Sequence, residues 1–181
     1  MKNVLSVILL AGVLTGCSPF RTQNQELITP IEQQVSVDNR TYDGFAQGRI
    51  GDILKTEWFT FQLNEVNFLS EYDGYVASED NELIVANLTI KNTFFEPILF
   101  ANWEFSLLLE NDEDVIEIEP LNLNYMSGSA PSEFELKRGE VVTYDFVYEV
   151  SKDNFGEYSI VFVEAYEDDF VGDWYFIYFE K

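Results

Sequence analysis

Apolar residues between positions 58 and 181 recur at every second residue, in short runs broken by turn residues. That period belongs to strands with one buried face. Val142, Tyr144, Phe146, Tyr148 and Val150 form the longest such stripe. Trp103, Phe105, Leu107 and Leu109 form another, and Val115-Ile116-Glu117-Ile118 resumes it beyond an acidic turn at 111–114, which predicts a hairpin. Residues 58–68 change parity midway. Phe59, Phe61 and Leu63 share one face and Val66 and Phe68 the other, so a β-bulge near Asn64-Glu65 is expected to keep both groups inward. Residues 83–92 start as an unbroken apolar run and end alternating, as a central strand would. Asp73-Gly74 and 154–156 mark turns, 158–165 and 174–179 are further strands, and the proline-, serine- and asparagine-rich stretch 120–132 is a long loop. No stretch of this region holds a period of 3.6 over three turns. The pattern predicts an all-β, two-sheet antiparallel sandwich of about seven strands over residues 48–181.

The first residues follow a different pattern. Lys2 precedes an apolar run over 4–14 that is too short to span a bilayer, which takes about 20 residues. The run ends in Leu14-Thr15-Gly16-Cys17, which resembles the bacterial lipobox. The expectation is a signal peptide over 1–16, cleavage before Cys17, and a diacylglycerol thioether on that cysteine. The anchor then ties the protein to the extracytoplasmic face of the cell membrane without crossing it. Residues 17–47 are polar and irregular, with isolated apolar positions, and are expected to form a flexible tether.

Composition narrows the chemistry. The formal net charge is −23, from 10 basic and 33 acidic residues, which argues against nucleic acid as a partner. Hydrophobic residues at 46% and aromatics at 16% are enough to build a core despite that charge. There is no histidine, and Cys17 is the only cysteine. No disulfide, no Ser/His/Asp or Cys/His machinery and no zinc site of histidines and cysteines is therefore expected. Acidic turns offer hard oxygen ligands: Asp112, Glu113 and Asp114 in one, Asp168, Asp169 and Asp173 in another. These are candidate Ca²⁺ ligands, although no EF-hand-type loop is present and acidic turns are more often simply solvated. No catalytic residue stands out. Phe94, Phe95 and Tyr125 occupy turn or loop contexts, where exposed rings can receive a partner or cap one end of a sandwich.

Three segments in order carry a family resemblance: Gly48-Arg49-Ile50-Gly51-Asp52; the strand 83–92 ending in Lys91-Asn92; and Leu136-Lys137-Arg138-Gly139-Glu140 ahead of the stripe at 141–150. In these the chain resembles the DUF4352 family. The resemblance implies a telokin-like, immunoglobulin-like sandwich of the kind found in lipoproteins and secreted proteins of Gram-positive bacteria. It implies no particular activity. The expected function is a non-catalytic binding module outside the membrane, with a protein or cell-wall partner. The alternatives are a structural or envelope-maintenance lipoprotein, or a hydrolase built on paired carboxylates.

Overall fold

The computed structural model describes residues 27–110, 115–154 and 156–181. Ten strands make two five-stranded sheets: β1 (Leu27–Ile28), β2 (Phe45–Arg49), β3 (Ile53–Lys55), β4 (Phe59–Leu69), β5 (Asn81–Asn92), β6 (Ser106–Glu110), β7 (Val115–Ile118), β8 (Val141–Ser151), β9 (Glu157–Ala165) and β10 (Val171–Phe179). The first sheet has the order β1-β3-β4-β5-β8 and the second β7-β6-β9-β10-β2. Three two-stranded ribbons flank them, pairing Gln34–Val35 with Thr41–Tyr42, Glu71–Tyr72 with Tyr75–Val76, and Ile98–Ala101 with Glu133–Leu136. Among the described residues the one helical element is the 3-10 turn Asn102–Glu104.

The alternating stripes meet between the sheets. Phe59, Phe61 and Leu63 of β4, Ile84, Ala86, Leu88 and Ile90 of β5 and Phe146, Tyr148 and Val150 of β8 face Leu107 and Leu109 of β6, Tyr158, Ile160 and Phe162 of β9 and Tyr175, Ile177 and Phe179 of β10. The aromatic rings interlock edge to face: Phe59 lies 4.7 Å from Phe162 and 4.9 Å from Phe100. Each fully buried ring of this kind contributes about 1.5–3 kcal/mol by leaving water. The Tyr148 hydroxyl, wholly buried, donates to the Phe105 carbonyl at 2.8 Å.

The parity change in β4 is a bulge, with Leu63 opposite Leu88 and Glu65 opposite Asn87. The extra residue, Asn64, turns outward and donates to Asn87 and Thr89, while Val66 and Phe68 return to the core. The unbroken run at the start of β5 has a separate cause. Leu83 and Val85 face away from the main core into a second apolar layer with Val147, Leu123 and Met126. That layer lies under the 120–132 loop, which also covers the outer edge of β8 through Leu121 N–H to Val147 O and Asp145 N–H to Gly128 O. Asp73 and Gly74 both have positive φ, as a two-residue hairpin turn requires. The hairpin they close is held to β8 by Tyr72 and Tyr75, whose hydroxyls donate to Asp145 and Glu149.

Several expectations are corrected. The folded body begins by Leu27 rather than at Gly48, so residues 27–47 are not tether. β1 pairs with β3, and β2 lies along the length of β10. Both pairings are parallel, so the sandwich is mixed at its edges rather than wholly antiparallel. Among the described residues the two sheets hold the seven expected strands, β4 to β10, together with β1, β2 and β3, which show no apolar stripe in sequence. Trp103 does not share the face of Phe105. The 3-10 turn rotates it outward to 59% exposure, while Phe105 is fully buried.

Candidate functional site

Two features stand out among the described residues: an open aromatic groove and a buried pair of carboxylates.

The groove has a volume of about 540 Å³ and lies where the 56–58 turn, the 93–97 turn, the Ile98–Ala101 strand and the 3-10 turn come together beside β9. Trp58, Phe94, Leu99 and Trp103 line it, with Phe162 and Val163 beneath. Two of these apolar side chains lie open: Leu99 is 65% exposed and Trp103 59%. Phe95, next to the groove, is also 65% exposed and packs at a tilt against Phe94, ring centres 4.2 Å apart. Exposed apolar side chains are unremarkable singly, but gathered around a concave surface they mark a binding site. Its charged lining is wholly acidic: Glu104, Glu117 and Glu167. Burial pushes the Glu104 carboxyl above its ordinary range, opposed only by the Ala101 N–H at 3.3 Å.

Asn92 holds in place the turn that carries Phe94 of the groove lining. It is completely buried at the end of β5. Its amide nitrogen donates to the carbonyls of Glu96 and Leu136, each at 2.8 Å, and its side-chain oxygen accepts from Phe94 N–H at 2.7 Å. Its backbone donates to the Glu140 carbonyl and accepts from Gly139 N–H. The two sequence features Lys91-Asn92 and 136–140 are therefore two halves of one lock. Thr93 extends it by donating to the Trp58 carbonyl through both N–H and hydroxyl.

The carboxylate pair is Glu164 and Asp173, 1% and 0% exposed. A second bulge sets two residues of β10, Gly172 and Asp173, opposite the single Glu164 of β9 and brings the two acids together. Asp173 accepts from Gly44 N–H and Thr41 hydroxyl at 2.8 Å and from the Gln33 amide at 2.6 Å. A glycine is required at 44, since a Cβ there would stand 2.6 Å from the Asp173 oxygen. Glu164 accepts from Glu57 N–H at 2.8 Å and from the Tyr175 hydroxyl at 2.7 Å. Both border a cavity of about 200 Å³. Sequence reasoning missed this pair; the one available signal was two acids within strands otherwise rich in apolar residues.

Burial raises the Glu164 pKa above its ordinary value, and the nearby Asp173 charge adds to this against the hydrogen bonds that lower it. The folded state therefore favours protonated Glu164. Its contribution to stability is fully present below the ordinary glutamate range and is lost as pH rises through the raised value. Glu164→Gln keeps an acceptor for Glu57 N–H and Tyr175. Its melting temperature, followed by circular dichroism across pH, should gain on the parent progressively above the ordinary glutamate range. A constant offset at all pH would show that Glu164 does not titrate in the native state.

The remaining expected site residues are Cys17 and the acids of the two turns. Cys17, Asp112, Glu113 and Asp114 lie outside the described residues. Asp168 accepts from both terminal nitrogens of Arg40, at 2.7 and 2.9 Å, and Asp169 sits in the same turn with φ of 63°. Arg40 is also over the rings of Phe170 and Tyr166, 4.1 and 4.9 Å from their centres, and its guanidinium lowers the Asp168 pKa. Asp168 thus serves as a clasp for the Thr41–Tyr42 ribbon. Among the described residues no group of three or more acidic or cysteine side chains is placed to share a metal ion. Tyr125 is 76% exposed in the 120–132 loop and does not line the groove that Phe94 lines.

Two sheets face to face around one apolar core, with no longer helical element among the described residues, decide the class. The chain is a β-sandwich protein. Its architecture is similar to that of ycdA from Bacillus subtilis, provisionally described as a lipoprotein, with a TM-score of 0.54 and 16% identity over 71% of this chain. This chain spans only 38% of the length of ycdA. It is also similar to the yjhA protein of Bacillus subtilis, with a TM-score of 0.53 and 22% identity, covering 64% of this chain and 81% of that one. These likenesses concern the fold alone. No family model and no curated protein sequence matches the chain.

Proposed function

We propose that this β-sandwich is an extracytoplasmic lipoprotein module of the DUF4352 kind. In this reading it is tied to the membrane through Cys17 and binds a partner in the aromatic groove without catalysing a reaction. The observation that carries the proposal is the groove itself, in which large apolar side chains stand open to solvent around a concavity of ligand size. The N-terminal pattern ending at Cys17 supports the anchor. The fold likeness to ycdA is in keeping with it, although that likeness carries no information on chemistry.

The buried carboxylates are the one feature that favours a hydrolase. Their disposition supports a structural role, because both oxygens of Asp173 and one of Glu164 already accept hydrogen bonds from this chain at 2.6–2.8 Å. The early start of the sandwich also alters the anchor. Ten residues from Cys17 to Leu27 can span at most about 35 Å. Leu27 would then stand within that distance of the bilayer surface.

Trp103→Ala tests the binding reading. Trp103 is more than half exposed, so stability should change by no more than about 0.5 kcal/mol. An apolar fluorescent reporter dye should bind the parent chain at a single site and lose that site in the variant. Undiminished dye binding in Trp103→Ala would sink the reading. For the anchor, Cys17→Ser should abolish incorporation of labelled palmitate and release the protein into the medium; labelling that persists would refute lipidation at Cys17.

A further inference from the structure

The walls of the groove are apolar, yet every ionisable carboxylate that reaches it comes from a different element: Glu104 from the 3-10 turn, Glu117 from edge strand β7, and Glu167 from the β9–β10 turn. Neither lysine nor arginine is among its lining residues. Asp168, which also lies beside aromatic rings, is matched by Arg40 of the same chain. Among the described residues no cation plays that part in the groove. We propose that the groove takes an extended peptide segment in which bulky apolar side chains are flanked by lysine or arginine. This rests on the groove being the binding site, as proposed above.

Three arguments select this occupant. A volume of about 540 Å³ accommodates a few side chains and falls within the range of ligand clefts. The apolar part of such a segment would cover Leu99, Trp103 and Phe94, and its cations would meet both the carboxylates and the faces of Trp58 and Trp103. A small monovalent cation satisfies one carboxylate at a time, whereas basic side chains spaced along a backbone reach carboxylates on separate elements together. The partly buried Glu104 gains most. Its carboxylate has one long backbone hydrogen bond and is otherwise uncompensated. A net charge of −23 on the chain favours the approach of a basic partner from a distance.

The test uses the full chain and four blocked tetrapeptides, with tryptophan fluorescence and calorimetry as readouts. Three share a Leu-Phe centre flanked by lysine, by glutamine or by glutamate. The fourth has lysines flanking Gly-Gly. The Lys-Leu-Phe-Lys peptide should bind about tenfold or more tighter than the glutamine peptide, with the gap narrowing at high salt. The glutamate peptide and the Gly-Gly peptide should bind weakly or not at all. Glu104→Gln should weaken the lysine peptide about fivefold and leave the glutamine peptide unchanged. Equal affinity for the lysine and glutamine peptides would overturn this inference while leaving the groove as a binding site. Equal affinity for the two lysine peptides would overturn it as well, by reducing the effect to bulk charge. Failure of every peptide, with no change in tryptophan emission, would remove both the inference and the binding reading beneath it.

Discussion

Asp173→Ala should lower the unfolding free energy by about 3–5 kcal/mol, the largest loss expected from any single polar substitution in this chain. Asp173 is fully buried and its carboxylate is the common acceptor for Gly44 N–H, the Thr41 hydroxyl and the Gln33 amide. Alanine would leave a buried backbone N–H and two side-chain donors without a partner. Domains of this size have only about 5–15 kcal/mol in total, so urea denaturation should show a much earlier midpoint. The loss should also have a place. Residues 31–44 are held to the second sheet through this carboxylate, through Arg40 and through the β2–β10 ladder, so their amides should lose hydrogen-exchange protection first. Asp173→Asn retains an acceptor for Gly44 and should cost only about 1–2 kcal/mol. Uniform loss of protection across both sheets, with no excess over 31–44, would contradict the assignment of Asp173 as the clamp of this segment.

Asn92→Ala should cost about 2–4 kcal/mol, because three side-chain hydrogen bonds to buried backbone disappear together. Asn92→Asp is the sharper variant. It is nearly isosteric, but it sets an oxygen against the carbonyls of Glu96 and Leu136, where the amide nitrogen now donates. It should be at least as damaging as alanine at neutral pH, as read by thermal denaturation. An aspartate variant as stable as the parent would show that the amide does not donate to those carbonyls. Since Phe94 N–H is held by the same side chain, both variants should also disorder the groove wall and weaken the dye site probed by Trp103→Ala.

How legible the molecule was depends on the range of the interaction. β4, β5, β8 and β9 were readable because a strand with one buried face repeats every two residues, and the bulge at Asn64 was readable because it breaks that parity. β1, β2 and β3 were not, since β1 and β3 are only two and three residues long, the inward positions of β2 are the small Ala46 and Gly48, and parallel pairing with a distant strand leaves no local trace. Trp103 was misplaced for the opposite reason: alternation continued into it while a 3-10 turn had already ended the strand. The candidate site was half legible. Phe94 and Phe95 stood out as rings in a turn, but Trp58, Leu99 and Trp103, tens of residues apart in places, meet only through folding. Asn92 and the 136–140 segment were each visible as patterns; their union was not.

The sequence by itself determined the all-β class, the principal strands and the inward residues on them, the acidity, and the absence of histidine and of any second thiol. These are local or compositional properties, set by side-chain period and by count. Tertiary structure decided the rest. It drew residues 27–47 into the sandwich, because a buried carboxylate 129 residues from Gly44 needed donors. It divided the acids into clamps and groove rim, because an acid's role depends on what burial and which partner it meets. It also gathered separate turns into one open aromatic groove, because that surface exists only where the ends of distant strands converge.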